Sequence, residues 1–244
     1  MEKKSRIVRG RTEIYIPSNA DEVMYLSPAV GPNSYQGAGE QILKTGFVVP
    51  TGDLIAPLVR EAYCGELKGQ PEFTDVRDRV QHSWLWVFNI NLWTENGIFS
   101  LHDLKAVGRS MPLSVKTLER KLEGGSDKNG VRFSEDGTLR FAPRGSYGFG
   151  EMSSEALAKD GAMIADYGVE GAKLLAEASA TRKNKPKTYG SDIQECQAPQ
   201  TRVSALLGDY DSQLRFGGFY FGDDSVRCAF PVRASFGEKI ICRV

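Results

Sequence analysis

The stretch WLWVFNINLW, residues 84–93, constrains the fold more than any other part of the chain. Side chains in a strand alternate between two faces. Trp84, Trp86, Phe88, Ile90 and Leu92 therefore share one face, and Leu85, Val87, Asn89, Asn91 and Trp93 the other. A run this rich in aromatic and β-branched residues belongs at the centre of a sheet, with one face in the main core. Glu95-Asn96-Gly97 supplies a turn into GIFSLHD and completes a hairpin. Large rings at this spacing are core residues before they are a cofactor platform.

The segments around this hairpin have mixed character. TEIYIPS (12–18) alternates and stops at Pro17, as a short strand does, and GFVVP (46–50) reads as another. Residues 27–46 are rich in Gly, Pro, Ser and Asn and read as an irregular connector. Leu54, Ile55, Leu58, Val59, Ala62 and Tyr63 recur at helical spacing, with Thr51 or Asp53 as N-cap and Pro57 as a bend or a late start. PEFTDVRDRVQH (71–82) predicts a second helix that opens on Pro71. LSVKTLERKLEGG (113–125) predicts a short helix capped by Ser114, and VRFSEDGTLRFAP (131–143) a hairpin turning at Asp136-Gly137. SSEALAKDG and VEGAKLLAEAS read as helices flanking a strand at AMIADYG. TRKNKPK (181–187) reads as a solvated basic connector. After Ser179 every apolar segment has strand composition. Helices segregated from a mostly antiparallel sheet make the class α+β.

Charge and cysteine usage narrow the function. Thirty-one basic residues balance thirty-one acidic ones, so no global field draws in nucleic acid or an anionic membrane. No apolar run has a membrane-spanning length, and the basic opening stretch leads into no apolar signal core. Cytoplasmic synthesis is expected, with a place on a virion or cell surface left open. Cys64, Cys196, Cys228 and Cys242 form no C-x-x-C pair, and only His82 and His102 offer imidazole. Buried reduced thiols are expected rather than zinc ligands, with a Cys228–Cys242 bridge left open.

Motifs for catalysis are weak. G-F-G-E-M-S (148–153) lacks the third glycine, the parallel strand and the uninterrupted helix of a dinucleotide fingerprint. Neither histidine has a Ser or Cys elbow beside it. An enzyme with an unrecognised carboxylate site stays as an alternative, because separation in space is invisible in sequence.

One stretch departs from the rest. GDYDSQLRFGGFYFGDDS (208–225) holds four Asp, five aromatics, four Gly and two Ser. Tyr and Phe give rigid contact area, while Gly, Ser and Asp give adaptable polar contacts, as on paratope surfaces. The pairs Asp209/Asp211 and Asp223/Asp224 do not fit an EF-hand loop, although their oxygens could bind Ca²⁺ in a Ca-dependent carbohydrate-binding protein. The other reading of the stretch is an aromatic hairpin whose Phe216, Phe219 and Phe221 cover the core.

The layout resembles the variable proteins of diversity-generating retroelements, most similar to the archaeal and viral versions. In that family a C-type-lectin fold carries a diversified patch near the C-terminus. Adenine-directed diversification of Asn-type codons ending in a pyrimidine yields no Lys, Glu, Gln, Met or Trp, and in 208–225 only Gln213 breaks that pattern. The resemblance implies a domain over 47–244, with residues 1–46 preceding it and a large mixed insertion at about 105–189. The helices at 54–64 and 72–82 would flank the sheet, and KIICRV would close it. It also implies a non-enzymatic protein without a cofactor. Its patch of Asp209, Tyr210, Asp211, Ser212, Arg215, Phe216, Phe219, Tyr220, Phe221, Asp223, Asp224 and Ser225 would bind a macromolecular ligand, protein or glycan.

Overall fold

The computed structural model describes residues 4–9, 12–18, 21–102, 114–190, 199–208, 213–220 and 227–234. The first third comprises β1 (Arg6–Val8), β2 (Glu13–Ser18), β3 (Asp21–Leu26), β4 (Val30–Asn33), α1 (Tyr35–Lys44), α2 (Gly52–Cys64) and α3 (Pro71–His82). Next come β5 (Leu85–Thr94), β6 (Gly97–Leu101), α4 (Val115–Lys121), β7 (Ser126–Lys128), β8 (Val131–Phe133) and β9 (Leu139–Pro143). The last part holds β10 (Gly150–Glu151), α5 (Ser154–Leu157), α6 (Gly161–Ala180), β11 (Lys187–Tyr189), β12 (Gln200–Gly208), β13 (Leu214–Tyr220), β14 (Arg227–Ala229) and β15 (Val232–Ala234).

All ten residues of β5 are buried, so the strand is covered on both faces. On one face Leu85 and Val87 join the core built with α2, α3 and α6; on the other Trp86 and Phe88 pack with α1. The main sheet runs β10-β11-β13-β12-β5-β6-β9-β8-β7, with β14 pairing β4 and β5. Its pairs are antiparallel apart from β11/β13 and β14/β5. A smaller antiparallel sheet runs β1-β2-β3-β15. The class is α+β, as the order of elements predicts.

Residues 30–44 correct the connector expected at 27–46. They form β4 and then α1, whose N-cap Ser34 accepts from the Gly37 N–H. One of the glycines that suggested a loop, Gly37, has a packing reason, since a Cβ there would collide with the Asn33 side chain. The N-terminal residues also cross the expected boundary at 46: β3 pairs with β15, and the Tyr25 hydroxyl donates to the Leu54 carbonyl at 2.5 Å. The strand expected at 46–50 is, among the described residues, an isolated bridge between Val48 and Val232, and the Pro50 carbonyl accepts from the Phe88 N–H at 2.9 Å.

The segment read as helix–strand–helix is mostly one helix, α6, broken at Gly168 (φ 75°, ψ 166°). AMIADYG is helical because Asp160 caps it, accepting from the Met163 N–H at 3.1 Å, and because α6 packs closely on α2. That contact is tight: a Cβ on Gly52 would strike the backbone carbonyl of Asp166. β8 to β11 join the main sheet, so the described part of 105–189 shares its core and is not an appended unit. α2 runs through Pro57, whose missing N–H leaves the Asp53 carbonyl without its helical donor. Burial of the α2 face against α6 holds the helix together.

Candidate functional site

The break at Gly168 has a chemical consequence. In an unbroken helix the carbonyls of Ala165 and Asp166 would accept from residues 169 and 170. Here they accept from side chains of the sheet: His102 Nε2 at 2.7 Å and Arg140 Nη1 at 3.3 Å reach Ala165, and Asn89 Nδ2 reaches Asp166 at 2.6 Å. The Asp166 carboxylate accepts from Ser100 Oγ (2.8 Å) and Ser204 Oγ (2.6 Å), and Asn91 Nδ2 donates to Ser204 Oγ at 2.8 Å. Arg140 Nη2 pairs with Asp53 Oδ2 at 2.6 Å, and His102 Nδ1 lies 3.5 Å from the same oxygen. A polar cluster thus joins α2, β5, β6, β9, β12 and α6.

This cluster contains Ser, His and Asp, a set the sequence reading found no sign of around His102. Ser100 and His102 do share one face, two residues apart, and that spacing is the only local signal. The geometry is not that of a nucleophile and its base. Ser100 Oγ lies 3.2 Å from His102 Nε2, but it donates to Asp166, and His102 Nε2 must donate to the Ala165 carbonyl, which can only accept. Burial, followed by the nearby Arg140 charge, lowers the His102 pKa to about 4, so the ring is neutral near pH 7. Burial raises the Asp166 pKa, opposed by donation from Ser204, Ser100 and Asn91. The cluster holds α6 to the sheet.

The predicted patch centres on β13, which lies between β11 and β12. Seven registered pairs tie it to β12 and three to β11. Arg215 is half-buried, its guanidinium 5.7 Å from the Tyr189 ring centroid and its Nε donating to Gln213 Oε1 at 2.9 Å. Phe216 corrects the expectation of a surface residue. It is 3% exposed and packs edge-on to Tyr167 at 5.9 Å, because the strand's alternation turns it toward α6. Phe219 and Tyr220 pair along the backbone with Val203 and Arg202. Asp209, Tyr210, Asp211, Ser212, Phe221, Asp223, Asp224 and Ser225 lie outside the described residues, as does KIICRV. Gln213, the residue that broke the composition pattern, is buried and donates to the Lys185 carbonyl at 2.7 Å and to Glu151 at 3.1 Å.

No family model and no curated protein matches the chain. A solved structure described as "Accommodation of massive sequence variation in Nanoarchaeota by the C-type lectin fold" is similar to it, covering 85% of this chain and 97% of that one. The TM-score is 0.47 and the identity 14%.

Among the described residues no cluster of three or more His, Cys, Asp or Glu could hold a metal ion. Cys228 is a buried free thiol and Cys64 a half-buried one. No helix among the described residues is long and apolar enough to cross a membrane. In sequence Asp209 and Asp211 precede β13 and Asp223 and Asp224 follow it, and the ends of that strand lie roughly 20 Å apart.

Proposed function

We propose that this chain is a non-enzymatic recognition protein with a C-type-lectin-like fold, and that β13 with the segments 209–212 and 221–226 contacts a macromolecular ligand, protein or glycan. The observation that carries the reading is the seating of residues 214–220 of the aromatic, Asp- and Gly-rich stretch on a strand paired with β12 along its length and with β11 at 215–217. A strand held by its backbone presents its side chains in fixed positions, as precise contact surfaces require. Arg215 supplies a cation beside Tyr189, while Phe219, Tyr220 and Phe221 supply contact area and the four Asp and two Ser supply polar specificity. Phe216 belongs to the support beneath the surface.

Sequencing the gene from many isolates tests the proposal. Substitutions concentrated in 208–225 are expected. An even spread along the chain would remove the diversified surface from the reading.

A further inference from the structure

Beneath β13 lies a partly open pocket with a cavity volume of about 30 Å³. Two or three water-sized positions fit in that space. Asn91, Trp93 and Tyr167 line it, and all three are nine-tenths or more buried. Asn91 Oδ1, Trp93 Nε1 and the Tyr167 hydroxyl have no hydrogen-bond partner among the described residues. Leaving a buried polar group without a partner is costly, so three around one cavity mark a place built for a polar guest. At the mouth Phe149, 42% exposed, stacks on Trp93 with ring centroids 5.5 Å apart and planes within 14°.

We propose that this pocket binds a secondary acetamide group, as carried by an N-acetylated sugar or an N-acetylated lysine. An indole N–H can only donate and an amide oxygen can only accept, so Trp93 and Asn91 complement an amide carbonyl and an amide N–H. The methyl has apolar walls in Ile98, Met163 and Phe216. Asp166 also lines the pocket, but its carboxylate is occupied by Ser100 and Ser204, and Arg140 stands nearby. A neutral guest is therefore favoured over a cation. The site goes beyond the recognition surface above, since it uses described residues alone and needs no variability in 208–225.

The experiment is an NMR titration of ¹⁵N-labelled full-length protein, with the Trp93 indole N–H assigned through Trp93→Phe. N-methylacetamide is expected to shift that resonance saturably, and glucose and methylammonium are not. N-acetylglucosamine and Nε-acetyl-lysine amide compete with it, and whichever binds more tightly identifies the source. Trp93→Phe should weaken binding about tenfold, the value of one buried hydrogen bond. Ala162→Leu, at a half-buried pocket wall, should block binding while leaving the melting temperature in place and so guards against a folding defect in the first variant. A linear, non-saturating response to N-methylacetamide with cross-relaxation from the indole N–H to water alone would overturn the proposal and leave an ordered hydration site. Tighter binding of methylammonium would overturn it in favour of a cation site. Neither result bears on the sequence comparison that tests the recognition surface.

Discussion

Acidification should weaken this fold through His102 in a calculable way. The ring is buried, and its pKa falls from the ordinary 6.5 to about 4, first through burial and then through Arg140; Asp53 and the Ala165 carbonyl oppose the shift. Between those two values the unfolded chain binds a proton that the folded chain refuses, so stability rises with pH across that window. The contribution is complete above about pH 6.5 and is lost progressively down to about pH 4. Integrated from pH 7.5 to pH 5.0, the loss is about 2 kcal/mol, out of a limit of about 3 kcal/mol. Urea unfolding at a series of pH values, for the parent and for His102→Gln, isolates it. Gln places an amide nitrogen near the position of Nε2 and can still donate to Ala165, but it does not titrate. Asp166, whose pKa burial raises, acts in the opposite sense and cancels because both proteins carry it. The parent should lose about 2 kcal/mol more than the variant between the two pH values. Parallel curves would refute the placement of a neutral, buried imidazole in this cluster.

Phe216→Ala should cost about 3–5 kcal/mol in denaturant unfolding, as expected for a buried ring; unchanged stability would return Phe216 to the surface. Gly52→Ala should destabilise by about 1–3 kcal/mol or more, because its Cβ meets the Asp166 backbone rather than a flexible side chain; a neutral result in thermal melting would contradict the close α2–α6 crossing. Calcium is expected to give neither heat in calorimetry nor a rise in melting temperature, and a saturable rise would restore the Ca-dependent reading of the Asp pairs.

Local pattern made part of this structure readable and long-range contact made the rest unreadable. β5 and its hairpin partner β6 follow from two-residue alternation and an Asn-Gly turn, and α3 begins at Pro71 and ends at His82 as its periodicity predicts. The β8–β9 hairpin falls where Asp136-Gly137 placed it. AMIADYG misled because a short apolar run does not separate strand from helix; the Asp160 cap and the packing of α6 on α2 decide it. The polar cluster was hidden for a different reason. Its members Asp53, Asn89, Asn91, Ser100, His102, Arg140, Asp166 and Ser204 come from six elements and the residue following β6, and only the pairs Asn89/Asn91 and Ser100/His102 lie close in sequence. Phe216 was ambiguous because its neighbours Gly217 and Gly218 carry no side chain from which to tell the two faces of β13 apart.

The double-edged pairing of β13 sets a rule for how its sequence could change over generations. Main-chain hydrogen bonds are indifferent to side-chain identity, so the ladders to β11 and β12 survive most replacements. The pleat is less forgiving. Positions 214, 216 and 218 share the face where Leu214 and Phe216 are buried and where Gly218 lies against Trp93, leaving a Cβ there only 3.1 Å from the ring. On the recognition reading proposed above, substitutions among the described positions of this strand are expected at 215 and 217 rather than at 214, 216 and 218. A lineage exploring new ligands would vary a comb of alternate teeth while its spine and its inner teeth stayed constant.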